Sequence, residues 1–191
     1  MLRVREPAWF NAPVPSFGDP NGWLAIVGLA PGEKGANRTG RPFTGDFAGH
    51  LLYATLIELG LAKGQYGETP DDGLVLDGAL IVNAVRCLPP ANKPEPAEIH
   101  QCRPFLVDQL KAMPNLEVVL ALGQIAHQSA VKALGGKLPK HPFGHAAVHR
   151  LHTGYALVDS YHCSRYNQNT GRLTAEMFRA AVKTAIAARN A

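Results

Sequence analysis

The stretch Leu24-Ala25-Ile26-Val27-Gly28-Leu29-Ala30-Pro31-Gly32 joins an apolar run to a Gly- and Pro-rich loop, which continues through GLAPGEKGANRTGRPFTGD (Gly28 to Asp46). The run has strand length and no polar alternation, so it reads as a strand buried on both faces. Open α/β sheets place their sites where such a strand breaks into a loop of small residues. Gly28, Gly32 and Gly35 let the backbone come close to a ligand, with Ala30 and Pro31 between them, and Asn37, Arg38, Thr39, Arg41 and Thr44 add polar contacts. No Gly-Lys-Ser/Thr follows, and the G-x-G-x-x-G spacing is absent. Phosphate chemistry on a nucleotide cofactor is therefore not the first expectation.

Working outward, residues 1–23 mix Pro7, Pro13, Pro15 and Pro20 with Trp9, Phe10, Phe17 and Trp23, which predicts an irregular strap across a sheet edge rather than helix or strand. Phe47 to Leu61 reads as an amphipathic helix that Asp46 would cap. Leu74 to Leu76 reads as a short accessory strand and Ala79 to Val85 as a buried one carrying Asn83 near its end. Pro89, Pro90, Pro94 and Pro96 exclude helix and central strand from the next segment. Ala97 to Met113 is helical with a kink near Pro104, Leu116 to Gly123 is a strand, and Gln124 to Leu134 is a helix closed by Gly135-Gly136. A basic, His-bearing loop (Lys137 to Arg150), a strand (Tyr155 to Ser160), a polar loop and a helix (Thr174 to Arg189) complete the chain. Strands alternating with helices predict an α/β fold, a three-layer α/β/α sandwich with a central parallel sheet, in one domain over residues 1–191.

Composition narrows the class. With 46% hydrophobic and 18% charged residues among 191, the chain has enough apolar material for a core, and disorder is excluded. No run approaches the ~18 apolar residues of a membrane span, and the first residues lack a signal-peptide core, so the expected compartment is the cytoplasm. The formal charge of +4 is compatible with a polyanionic partner as well as with a mildly basic surface. Position is more informative: Arg38 and Arg41 fall in the first loop, and Arg165 and Arg172 in the last.

Three ordered motifs carry a resemblance. GLAP-G-x-x-G-x-N-R-T-G-R-P-F-T-G-D from Gly28, the segment Asn83-Ala84-Val85-Arg86-Cys87-Leu88-Pro89-Pro90-Ala91-Asn92-Lys93-Pro94, and H-x-S-R-x-N-x-N-T-G-R-L-T from His162 resemble the iron–sulfur branches of the uracil-DNA glycosylases, families 4 and 5. Family 4 carries a Glu after the first Gly, where this chain has Leu29, so the resemblance is closer to family 5. It implies the same α/β/α fold, a monomeric DNA-repair hydrolase that flips uracil or another deaminated base from DNA, and cleavage of the glycosidic bond with water. A non-catalytic or weakly active damaged-DNA binder of the same fold is the alternative, motivated by the cysteine pattern below.

Residue chemistry and resemblance meet at a few positions. Asn83, at the end of an apolar strand, needs partners for its N–H₂ and C=O, and a carboxamide matches the edge of uracil but not that of cytosine. It stands four residues before Cys87, as in the family 4 pattern; bracing of the local loop is the other reading. Phe43 is a candidate stacking platform for a flipped base or a plug under the loop, and Gly28, Ala30 and Gly32 would lie against the base. The resemblance places His162 at the uracil oxygen that gains negative charge. Asp46 would stabilise an oxocarbenium-like sugar and orient water, or merely cap its helix. Asn92 is either a catalytic neighbour or a turn former. Arg38, Arg41, Ser164, Arg165 and Arg172 would hold DNA, with Leu173 or Tyr166 as the wedge. The other seven histidines show no metal-ligand spacing in sequence, which argues against a zinc hydrolase.

The resemblance also implies a [4Fe–4S] cluster bound by four cysteines, of which Cys87 and Cys102 match one pair. The N-terminal C-x-x-C pair has no counterpart in the sequence, and Cys163 replaces a proline of the last motif. A cluster is therefore not expected in the chain as written, while Cys87 and Cys102 are expected to lie close together. Two buried reduced cysteines are the plain alternative.

Overall fold

The computed structural model describes residues 2–189. In chain order the elements are α1 (Leu2–Arg5), β1 (Phe17–Gly18), β2 (Leu24–Gly28), α2 (Ala36–Thr39), α3 (Phe47–Glu58), β3 (Ala62–Lys63), β4 (Val75–Leu76), β5 (Ala79–Asn83), α4 (Pro96–Lys111), β6 (Val118–Leu122), α5 (Gln124–Ala133), β7 (Val148–Arg150), β8 (Ala156–Ser160), α6 (Arg165–Asn169) and α7 (Ala175–Ala188). Six strands form one sheet in the order β1-β5-β2-β6-β8-β7, while β3 and β4 pair apart from it.

The four inner strands are parallel, and every residue in them is buried. Successive side chains point to opposite faces. Leu24, Ile26, Ile81, Leu120 and Val158 therefore meet α3 and α7 on one side, and Ala25, Val27, Leu80, Val82, Val119 and Leu157 meet α4 and α5 on the other. This is the expected three-layer sandwich, with one correction: the edge strands β1 and β7 run antiparallel to their neighbours. β1 also corrects the reading of residues 1–23 as wholly irregular, since Phe17 and Gly18 pair with Ile81 and Leu80 at the sheet edge. α1 adds one helical turn that the proline count obscured. Helix α4 runs through Pro104 without interruption.

The topology creates the crevice. From β2 the chain crosses to β5 on one side, then returns past β2 to β6 on the other. The order reverses at β2, and ligands in open α/β sheets bind outside the carboxyl ends of the strands at that switch. Gly28 ends β2 in register with Asn83 at the end of β5. The first loop and the segment after β8 both leave the sheet on this rim.

Candidate active site

A cavity of about 460 Å³ opens at that rim, lined from the first loop by Leu29, Ala30, Pro31, Gly32, Ala36, Phe43 and Asp46, from α3 by Phe47 and Ala48, and by Asn83, Asn92, His162, Ser164 and Arg165. The size suits one small ligand. Thus Ala30, Gly32, Phe43, Asp46, Asn83, Asn92, His162, Ser164 and Arg165, each expected from sequence, come together.

Asn83 is 5% exposed, and no protein group among the described residues pairs with its carboxamide. Its amide opens onto the cavity, where a hydrogen-bonding ligand can take the place of water. Gly28 does not line the cavity, correcting the expectation that it touches the base. It stands directly behind Asn83 and Phe43: a Cβ there would collide with Asn83 Oδ1 and come within 2.7 Å of the Phe43 ring. Its lack of a side chain lets those two side chains share the floor.

Phe43 is buried at φ +54°, a left-handed conformation that a bulky residue adopts only when its surroundings enforce it. The enforcers are visible. Tyr66 Oη donates to the Phe43 carbonyl at 3.0 Å and accepts from the Gly45 N–H at 3.2 Å, while Tyr53 Oη donates to the Pro42 carbonyl at 2.5 Å. Arg41 Nε donates to Thr44 Oγ1 at 2.7 Å, and its two terminal nitrogens grip the Asp72 carboxylate at 2.8 and 2.6 Å. Arg41 is 4% exposed, so the expectation that it holds a DNA phosphate is overturned: its guanidinium is consumed inside the protein. Asp72, held well below the usual carboxylate range chiefly by that hydrogen bond, and Tyr66 both escaped sequence analysis because they lie in an aperiodic connection.

The Phe43 ring stacks against the imidazole of His162, centroids 6.0 Å apart and 29° between planes. Burial lowers the His162 pKa to about 4, so the ring is neutral at physiological pH. Asn167 Nδ2 donates to the His162 carbonyl at 2.8 Å and fixes its backbone.

Asp46 caps α3 through Oδ1, which accepts from the N–H groups of Ala48 at 3.0 Å and Gly49 at 3.3 Å. Oδ2 faces Gly32 and Gly35, and a Cβ on Gly35 would stand 2.6 Å from it. The capping and site readings are therefore compatible, one oxygen each. Burial raises the Asp46 pKa against those two backbone hydrogen bonds, which lower it. Asn92 is exposed, has φ +57°, and accepts the Glu33 N–H at 3.0 Å through Oδ1, bracing the first loop at the cavity mouth.

Of the remaining basic candidates, Arg38, Arg165 and Arg172 are exposed. Arg165 lies over the Phe47 ring at 4.9 Å, and Arg172 lies over Tyr161 at 4.8 Å beside a second cavity that shares Leu29 and His162 with the first. Ser164 caps α6, accepting from the Asn167 N–H at 3.3 Å. Leu173 is 1% exposed and packed in the core, which removes it as a wedge, whereas Tyr166 on α6 is 71% exposed.

Cys87 is exposed and Cys102 half-buried on α4, near enough for Cys102 to contribute, after burial, to raising the Cys87 thiol pKa. Cys163 lies fully buried in the core on the face of α3 and α7. An iron–sulfur cube takes about four thiolates, and Cys87 and Cys102 are the two here that face each other closely enough to interact.

Residues 15–185 match the family model described as "Uracil DNA glycosylase superfamily". The chain is 47% identical to a type-5 uracil-DNA glycosylase of Thermus thermophilus over 91% of this chain and 78% of that protein. It is 38% identical to a type-5 uracil-DNA glycosylase of Pyrobaculum aerophilum over 98% of this chain and 81% of that protein. A type-4 uracil-DNA glycosylase of Archaeoglobus fulgidus is 35% identical over 60% of this chain and 50% of that protein.

Proposed function

The chain belongs to the uracil-DNA glycosylase superfamily, and from that premise we propose that it is a monofunctional DNA glycosylase of the type-5 kind, hydrolysing the bond between uracil and deoxyribose in DNA. The observation that carries this reading is the unpartnered Asn83 carboxamide on the cavity floor, between Phe43 and the strand end. Its C=O can accept the uracil N3–H and its N–H₂ can donate to O4. Cytosine presents the opposite pattern, so in this orientation of the amide it leaves both groups unpaired, and pairing with cytosine requires the amide to turn over.

With the base on Phe43, the C1′–N1 bond breaks with its electron pair moving into the uracil ring. Neutral His162 donates an N–H to the oxygen that gains charge. A neutral imidazole suits this task, because it stabilises the leaving anion without first losing solvation as a cation. Asp46 Oδ2 faces the electron-poor sugar carbon and orients the water that attacks it. The water oxygen bonds to C1′, one of its protons passes to Asp46 and then to solvent, and the uracil anion takes up a proton on release. Arg38, Arg165, Arg172 and Ser164 hold the flanking phosphates, and Tyr166 enters the space the base vacates.

Cys87 and Cys102 are the residues that would supply two ligands to an iron–sulfur cluster of the kind implied by the sequence motifs; such a cluster would be structural, and no step above depends on it.

The test is single-turnover release of uracil from a uracil-containing oligonucleotide, read as alkali-labile abasic product. Abasic product with no strand cleavage before alkali is the expected result. Retention of the oligonucleotide in a gel shift with no abasic product would leave a damaged-DNA binder in its place. Replacing His162 by Ala lowers the cleavage rate by roughly 10²–10³ while DNA affinity changes little; equal losses in both would make His162 structural.

A further inference from the structure

Among the described residues, a second cluster of ligating side chains stands apart from the proposed reaction. His127 from α5, His149 from β7 and Asp159 from β8, widely separated in sequence, bring their donor atoms within 4.8 Å of one another. Asp159 is fully buried and His127 is 1% exposed. Asp159 Oδ1 lies 2.7 Å from His127 Nδ1, and Oδ2 lies 3.1 Å from His149 Nε2.

The outer contacts restrict what can sit between them. His127 Nε2 is 2.9 Å from the His141 carbonyl, which can only accept, so in the neutral ring the hydrogen belongs on Nε2. The Nδ1 lone pair then points at a carboxylate oxygen. Two lone pairs at that separation, out of water, need a positive charge between them: a proton, giving an imidazolium, or a metal ion. His149 Nε2, facing the other carboxylate oxygen, puts a third ligand atom within reach of the same charge, as one metal ion requires. The surroundings also match a metal's outer shell. The His127 Nε2–H to a backbone carbonyl is the bond that orients a ligating imidazole, and the Gly144 N–H donates to Asp159 Oδ2 at 3.3 Å.

We propose that His127 Nδ1, His149 Nε2 and the Asp159 carboxylate form a binding site for one divalent cation of the zinc class, stapling α5, β7 and β8 together. Two imidazoles and a carboxylate are a common zinc donor set. With zinc–ligand lengths of about 2.0–2.2 Å, neighbouring donors stand roughly 3.3 Å apart, so on loading the 2.7 Å contact opens and the donors spread over as much as 4.8 Å draw together. The half-buried His141 ring packs edge-on against His149, with centroids 5.6 Å apart. Nothing in this site touches the proposed chemistry, so its role is structural.

Calorimetric titration of zinc into chelator-stripped, untagged protein tests it, using the Cys87→Ser/Cys102→Ser double variant so that those thiols cannot bind the metal. The expected result is one zinc per chain and a Tm that rises with zinc concentration. His149→Ala in the same background lowers the affinity at least 100-fold. Should that variant not fold, the ¹¹³Cd resonance of the unmutated-histidine protein decides instead, because nitrogen and oxygen ligands give a shift far from that of thiolates. No zinc uptake, uptake unchanged in a folded His149→Ala variant, a thiolate-type cadmium shift, or two ring N–H protons on His127 in the presence of zinc would each overturn the site; the last would identify a proton bridge.

Discussion

Asp46 divides its carboxylate between folding and chemistry, and the division can be read by substitution. Asn is as good an N-cap as Asp, so Asp46→Asn keeps the α3 cap through its side-chain oxygen. It removes the carboxylate that would orient water, and the cleavage rate should fall by roughly 10²–10⁴. Burial raises the Asp46 pKa. The stability tied to this shift is present below the unfolded value, near 3.9, and is lost as pH rises through the higher folded value. At neutral pH the native protein therefore carries the cost of a buried charge, and Asp46→Asn should melt at the same temperature or higher. Unchanged cleavage would reduce Asp46 to a cap. Asn83→Asp belongs at the same scale. A carboxylate cannot present the acceptor-and-donor pair of the amide, so the ratio of uracil to cytosine release from matched oligonucleotides should fall. An unchanged ratio would remove Asn83 from base recognition.

At the scale of elements, the segment from Gly64 to Leu76 serves as the buttress of the first loop. It carries Tyr66, which holds the Phe43 carbonyl, and Asp72, which holds Arg41. Removing one partner of a buried pair leaves the other charge unpaired, so Asp72→Ala should cost about 3–5 kcal/mol in denaturant unfolding. Arg41→Ala should leave the salt dependence of DNA affinity unchanged. Arg165→Ala, at an exposed position beside the cavity, should reduce the slope of log affinity against log salt by about 0.9. If Arg41→Ala changes that slope in a folded protein, the buried-pair assignment is wrong. This contrast marks how far the sequence could be read. The inner strands and their helices were legible because each inner strand is a run of apolar residues, buried on both faces, between turn signals. Asn83 stood out as a polar residue at the end of an apolar strand, Phe43 as a bulky aromatic in a polar, Gly-rich loop, and Asp46 as the acid where that loop meets a helix. Arg41 was not, since a guanidinium in a polar loop looks the same whether its partner is a phosphate or an aspartate about thirty residues away. The His127, His149 and Asp159 cluster was hidden for the same reason: only the β7–β8 pairing and the packing of α5 bring the three together.

For the whole molecule, groups with opposed shifts shape stability against pH. His162, its pKa lowered to about 4 by burial, contributes stability that is complete above the unfolded value near 6.5 and is lost as pH falls toward 4. Asp72, lowered chiefly by Arg41, contributes stability that is present above its unfolded value near 3.9 and disappears only in stronger acid. Asp46 works the other way, favouring the folded protein slightly as it takes up its proton. The unfolding free energy should therefore fall in two stages on acidification, first between about pH 6.5 and 4, then below about pH 4. His162→Gln keeps a polar side chain at the position but cannot titrate, so it should flatten the first stage and leave the second. Asp72→Asn should flatten the second from an already lowered baseline. Denaturant titrations at half-unit steps from pH 7.5 to 3 read both. His141 and His145, also lowered by burial, contribute to the same stage, so a first stage wholly unchanged in His162→Gln would assign it to them instead of His162.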